Sequence, residues 1–445
     1  MGLKNLQNDE LGIQRMQFEE RDEELELLEL EASGYKGRRQ NSKAAKIAKP
    51  AKSERSRKEK IKVYSIRTSI VLAVFVALYL TAVYSNIPFI EKWRTIYIET
   101  AMSTTSHKWL ATMFIPASVI DEVMAKKEAE LDAQKKLNSS WDDKEVKNPQ
   151  SVPKKDTKRQ EFFEKYWEID STSFRNYIDS NPLITANGYE NILIEDLQNT
   201  LGLETVKGDP LLVLDAANNT MIIKVSGEGY VGKMAIIKDS SQVELKKSKA
   251  LGSYGEEAVS YAKTYDSEIV INASGFKDVD GHGSGGIVKG SLVIDGVEYG
   301  APMGSYWKVA GIKQDGKLYV SNYSSAATKE FKWAVEFFPA LIINGENVVD
   351  GTFGMGIQPR TAIGQTKTGD FLMLVVDGRQ VGYSLGCTVR DCSEILAEYN
   401  AYQATNLDGG SSSVMIYKGE QITKSSSVSG RGRYMPDAIV VNKVK

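Results

Sequence analysis

The chain has 445 residues, 42% of them hydrophobic, with 56 Lys and Arg set against 58 Asp and Glu. That length exceeds one ordinary domain, and the apolar fraction supplies a core of roughly 200 to 250 residues plus accessory segments. The near-zero charge balance argues against nucleic acid as the main partner, and no CxxC metal or redox motif is present.

The balance hides strong segregation. Residues 1–67 read as a charged arm: acidic with interspersed Leu from Glu19 to Glu31, then basic from Lys36 to Arg67. No fold is expected of it. The basic run reads as a solvated, orientation-setting tail, with attachment to anionic lipid headgroups as the functional alternative; a cytoplasmic partner of the arm is unknown. Residues 68–90 carry no charge and are mostly apolar. At ~1.5 Å per residue they reach about 34 Å, enough for a ~30 Å hydrocarbon core, so a single membrane span contacting lipid is expected. The run begins too late for a cleavable signal peptide. Basic residues precede it, which places the N-terminus in the cytoplasm and exports the rest from the cell membrane.

Residues 91–137 read as a juxtamembrane segment followed by a helical stalk from Ser118 to Leu137, with Ile120, Val123, Met124 and Leu131 near helical spacing. Residues 138–159, with Pro149 and Pro153 among charged residues, read as an extended linker. Residues 160–210 show short helical patterns, including Phe162 to Glu168 and Ile192 to Leu201, and are expected to cap the domain. From Leu211 onward strand-like runs dominate, most of them closed by Gly, Asn or Asp. The clearest helices are Glu256 to Tyr265 and Thr388 to Tyr402, the latter opened by Thr388 with Asp391 three residues on. Strands with few intervening helices predict an α+β fold with a mixed sheet over residues 211–445. Cys387 and Cys392 are five residues apart, and packed thiols are favoured over a disulfide.

Three motifs fail their chemistry. Gly382-Tyr383-Ser384-Leu385-Gly386 matches a nucleophile elbow, but the only histidines, His107 and His282, both precede Ser384, so an α/β-hydrolase triad cannot be completed. Ser384 reads as a turn and helix-cap residue. Gly281-His282-Gly283-Ser284-Gly285-Gly286 matches a dinucleotide fingerprint but leads into a strand-like run rather than a helix. Asp278-x-Asp280-x-His282 opens like a calcium loop, yet Lys289 stands where a bidentate Glu is required. No metal ligands are assigned, and a cofactor requirement stays unknown.

Asn406-Leu407-Asp408-Gly409-Gly410-Ser411-Ser412-Ser413 is different in kind: a carboxylate, two glycines and three hydroxyls in one tight turn ahead of an apolar strand. Such a turn brings backbone N–H groups and hydroxyls close to an oxyanion or a sugar. Arg360, Arg379 and Arg433 are phosphate candidates, because a guanidinium can grip two phosphate oxygens at once.

With Asn272-Ala273-Ser274-Gly275-Phe276, Arg360-Thr361-Ala362-Ile363-Gly364, Asp377-Gly378-Arg379 and Arg431-Gly432-Arg433-Tyr434, this turn resembles the phosphodiester glycosidase family over about Leu211 to Val444. The family's pieces occur in this order. The chain departs from them in the extra residue before Gly275-Phe276, in Ser411 where a third Gly is common, and in the closing Arg-Tyr-Met-Pro. The resemblance implies a hydrolase that cleaves the bond between a sugar and a phosphodiester in a phosphate-linked surface glycan. Asp408 and Asp377 are then the catalytic carboxylates, and Asn272, Arg360, Thr361, Arg379, Gly409, Gly410, Ser411, Ser412 and Arg433 line the substrate. A non-catalytic glycan-binding or exopolysaccharide assembly subunit is the rival reading. Metal-dependent hydrolysis at phosphorus would need a His and Asp cluster, which two histidines do not supply.

Overall fold

A computed structural model describes residues 57–104, 107–142, 157–278 and 283–444. Most of the charged arm, the central part of the expected linker (143–156), and Asp280 and His282 of the calcium-like motif lie outside these residues. The chain divides into two compact units, Met1–Val74 and Phe75–Lys445.

The helix Arg57–Tyr84 contains the apolar run, and Ile61–Tyr84, with a mean hydropathy of 2.1, is long and apolar enough to cross a membrane. It stops short of the expected Ile90. Ile87 is held extended ahead of Pro88, and Pro88 starts a new helix, Pro88–Ser103.

Within the second unit, Ala117–Gln134 is helical as expected but does not stand free as a stalk. Its apolar stripe is buried: Ile120 and Val123 pack with Ile98 and Ala101, and Leu131 enters the domain core. Gln134 donates to the carbonyls of Ala340 and Val348 and accepts the Ala340 N–H at 3.0 Å. A side chain that satisfies open backbone groups beside an outlying strand docks the helix where sequence pattern alone suggested a spacer. Beyond it, Ser139 N–H bonds the Val320 carbonyl at 3.0 Å and the Trp141 indole donates to Leu318 at 3.1 Å.

The cap contains helices Thr157–Lys165 and Ser171–Ser180, the second begun by Asp170 accepting from Thr172 and Ser173 N–H. Ile192 to Leu201 is not helical. Leu193–Glu195 forms a strand against Leu211–Asp215, with Ile194 inward and Leu193 and Glu195 outward, a period of two that a short window concealed.

The rest is α+β, and the strands pair antiparallel throughout the described residues, not as a mixed sheet. In a nine-stranded sheet the strands Tyr230–Ile237, Phe371–Val376, Arg360–Thr366, Ala401–Asn406 and Ala340–Ile343 are neighbours in that order. A five-stranded sheet runs Glu420–Gln421, Met415–Tyr417, Ser267–Asn272, Asp437–Asn442, Val243–Lys247. A six-stranded sheet contains Lys308–Lys313, Phe331–Phe337 and Val288–Ile294. All three contribute to one core, through Ile363 and Met373, Ile271 and Ile439, and Ala310 and Trp333. The helix Val389–Glu398 covers the other face of the large sheet, and Ala258–Tyr265 covers the five-stranded one. Burial on both faces explains why Phe371–Val376 is apolar at every position.

Thr388 and Asp391 form a capping box on Val389–Glu398. The helix ends four residues before the expected Tyr402, because Asn400 turns left-handed (φ 60°) and the chain enters the strand Ala401–Asn406. Cys387 and Cys392 are free buried thiols with Sγ atoms 3.4 Å apart.

Candidate active site

Strand ends from two sheets meet at one place. The strand Ala401–Asn406 runs antiparallel to Arg360–Thr366 in the large sheet, so its end lies beside the start of the latter. The next residues join the sheets: Leu407 N–H bonds the Thr361 carbonyl at 2.8 Å, and Asp408 N–H bonds Ala273, just past Ser267–Asn272, at 3.1 Å. The Asn272 amide donates to the Asp408 carbonyl at 2.6 Å, while its Oδ1 accepts the Thr361 hydroxyl at 2.8 Å and the Val414 N–H at 3.2 Å. Asn272 and Thr361 thus brace the turn with polar atoms that are engaged with protein.

Glycine is required here by space. A Cβ on Gly409 would sit 2.8 Å from the Pro359 carbonyl oxygen, and Gly410 has φ +63° with the Arg379 guanidinium 3.3 Å from where its Cβ would be. Gly410 opens a short helical turn through Ser412, and Ser411 supplies a carbonyl to the Ser425 hydroxyl at 3.1 Å.

Three carboxylates serve this region, in unlike settings. Asp408 retains some solvent contact, yet protein surrounds it and burial pushes its pKa up to about 7, opposed by Ser412, the Arg433 charge and the Gly409 N–H, and reinforced by Asp437. Asp377 is buried at the end of Phe371–Val376. It accepts the Tyr383 hydroxyl at 2.9 Å and the Lys424 N–H at 2.8 Å. Burial raises its pKa, while those two bonds and the Lys233 and Lys424 charges oppose the rise. Asp437 is the third, and burial pushes it up to about 6 against Ser274. Sequence reading stopped one residue short of it, at Pro436. The available signal was an Asp at the head of an otherwise apolar strand, Asp437–Asn442.

The arginines also separate. Arg360 is fully enclosed, and its Nε and Nη2 donate to the carbonyls of Cys387, Met355 and Gly356 at 3.2, 3.1 and 2.6 Å. That loop is in turn held by the helices Pro88–Ser103 and Ala117–Gln134, through Ile357 N–H to Thr100 Oγ1 at 3.0 Å and Phe353 N–H to Glu130 at 2.8 Å. Arg379, left-handed at φ 60°, donates to Gln358 Oε1 at 2.9 Å. Burial and the like charge of Arg360 pull its pKa down, and Asp408 opposes them. Among the described residues neither Arg360 nor Arg379 has a carboxylate in ion-pair contact, whereas Arg433 pairs with Asp278 at 3.0 Å and lies over the Phe276 ring. Two adjacent cations with no carboxylate in ion-pair contact among the described residues, beside a turn of N–H groups and hydroxyls, form a setting for an anion.

Ser384 is a structural residue: its hydroxyl donates to the Asp377 carbonyl at 2.6 Å and accepts the Val231 N–H at 3.0 Å. Among the described residues no three His, Cys, Asp or Glu side chains converge as a metal-ligand group.

Residues 265–442 match the phosphodiester glycosidase family model. Among solved structures, the chain is similar to the zebrafish N-acetylglucosamine-1-phosphodiester alpha-N-acetylglucosaminidase catalytic domain auto-inhibited by its pro-peptide. Identity is 20% and the TM-score 0.43, over 51% of this chain and 83% of that one. It is also similar to a hypothetical protein from Synechocystis, at 14% identity and a TM-score of 0.41, over 52% of this chain and 63% of that one. No curated protein matches the chain.

Proposed function

We propose that the chain is a membrane-anchored, exported hydrolase that cleaves the sugar–phosphate bond of a glycosyl phosphodiester, a reading supported by the match of residues 265–442 to the phosphodiester glycosidase family model. Water replaces the phosphate at the anomeric carbon, giving a free sugar and a phosphate monoester. The observation that carries this reading is Asp408: a carboxylate held near pH 7 by burial, beside the Arg379 guanidinium, which has no carboxylate partner among the described residues.

In this mechanism Arg379 and Arg433 meet the non-bridging phosphate oxygens, and Gly409, Gly410, Ser411 and Ser412 surround the group being transferred. Arg360 adds positive charge from beneath, since its own N–H groups hold carbonyls. Ionised Asp408 faces the oxocarbenium-like transition state, as nucleophile or as base for water. The departing phosphate is a weak base, so it leaves without needing a strong acid. Asp377 supports the site through Tyr383 and Lys424. The substrate class is a phosphate-linked polymer at the cell surface, of the teichoic-acid or exopolysaccharide kind.

Two experiments test this. The full-length protein in detergent is incubated with a panel of sugar phosphodiesters, and free sugar plus phosphate monoester is expected. Sugar phosphate as product would move the reaction to phosphorus, and no product across the panel would favour a glycan-binding subunit. For topology, external protease on intact cells should remove the region beyond residue 160 and spare the N-terminal arm. Full protection of the C-terminal half would overturn the export reading.

A further inference from the structure

Asp437 is fully buried at the head of Asp437–Asn442. Strand register puts Ala438 opposite Asn272, so Asp437 lies against Ala273 and Ser274, the turn whose Ala273 carbonyl takes the Asp408 N–H. Its Oδ1 accepts the Ser274 N–H at 2.8 Å. Its Oδ2 and the Ser274 hydroxyl are buried with only each other to turn to, and among the described residues no cation pairs with Asp437. Asn would accept the same N–H without a charge, so structure alone gives no reason for a carboxylate here. What the carboxylate adds is negative charge under Asp408.

We propose that Asp437 is a positioning residue for Asp408: its buried charge sets when Asp408 releases its proton, so that the two carboxylates hold one proton between them near neutral pH. The inference rests on the hydrolytic reading of the site. The groups facing the pair are Arg433 on the closing loop, Arg379 on the turn after Asp377, and Tyr261 on the helix Ala258–Tyr265. Burial is the largest influence on both carboxyls, and Asp437 raises Asp408 further, as expected of like charges that cannot both ionise in a dry site. The Asp408 proton passes to solvent, so no further reactant is needed.

The test compares wild type and Asp437→Asn as full-length protein in detergent micelles, by two readouts. One is the pH profile of kcat/KM. The other is the 13C carboxyl resonance of Asp408, assigned by its loss in Asp408→Asn. Both midpoints should fall by about one pH unit in Asp437→Asn, so that one unit below the wild-type midpoint the fraction of plateau activity rises about fivefold. A lower plateau with an unmoved midpoint would make Asp437 merely structural and overturn the proposal. If Asp437→Asn does not fold, Asp437→Ser, still able to accept the Ser274 N–H, takes its place. Should the wild type turn over no phosphodiester, the resonance alone decides this inference, and the hydrolytic reading fails separately.

Discussion

Asp377 and Asp408 leave one sheet at the same end of its strands. Each follows a strand paired with Arg360–Thr366, one on either side of it. They differ in the charges that surround them. Asp377 receives a tyrosine hydroxyl and a backbone N–H within 2.9 Å, with two lysine charges nearby. Asp408 is met by Ser412 and the Gly409 N–H, has no ion pair among the described residues, and has the Asp437 carboxylate and the Arg379 and Arg433 guanidinium charges near it. The lesson is that residue type, strand position and hydrogen-bond partners do not by themselves tell the two carboxylates apart; the charges around them do, two lysines at Asp377 against arginines and a second carboxylate at Asp408.

Substitutions break this comparison in order of size. Asp408→Asn keeps the turn's shape and removes its charge, so kcat should fall by at least about 10², or roughly 2.7 kcal/mol of barrier, with melting temperature little changed. Normal turnover with a lowered melting temperature would make Asp408 a turn-former only. Arg379→Ala removes a charged contact worth ~1.5 to 3 kcal/mol and should raise KM by about one to two decades with the protein folded. An unchanged KM would remove the phosphate role. Asp377→Asn should leave kcat within about twofold and lower stability by about 1 kcal/mol, read by denaturant midpoint. A collapse of kcat there equal to that of Asp408→Asn would erase the distinction between the two residues.

The distinction also has a pH signature. Burial raises Asp408 to about 7, so below that pH it carries a proton and lacks the charge the mechanism needs. Activity should rise with pH through a midpoint near 7 and level off above it, until some other group titrates. A flat profile from pH 5 to 8 would contradict an ionised Asp408.

The turn at Asp408 was legible in sequence because its carboxylate, glycines and hydroxyls are contiguous and the positive φ at Gly410 is a local need, whereas the Pro359 carbonyl that leaves no room for a Cβ on Gly409 is a long-range contact. The capping box at Thr388 was legible for the same reason: both partners lie within one turn. Asp437 was not, because its approach to Asp408 is made by pairing strands whose residues are more than 160 apart, Ala438 against Asn272. The docking of Ala117–Gln134 was hidden likewise, since nothing local tells Gln134 that Ala340 and Val348 present open groups. Arg360 could be read as an anion-site residue, but not that its N–H groups would face Cys387, Met355 and Gly356. Periodicity misled at Ile192 to Leu201, where three residues of strand are too few to display a period.

The central claim is that water attacks carbon, with Asp408 meeting the charge that develops there. Hydrolysis of a sugar phosphodiester by the full-length protein in ¹⁸O-labelled water tests it directly. The account predicts ¹⁸O in the anomeric hydroxyl of the released sugar and none in the phosphate monoester. Label in the phosphate, with unlabelled sugar, would mean cleavage at phosphorus and would contradict it.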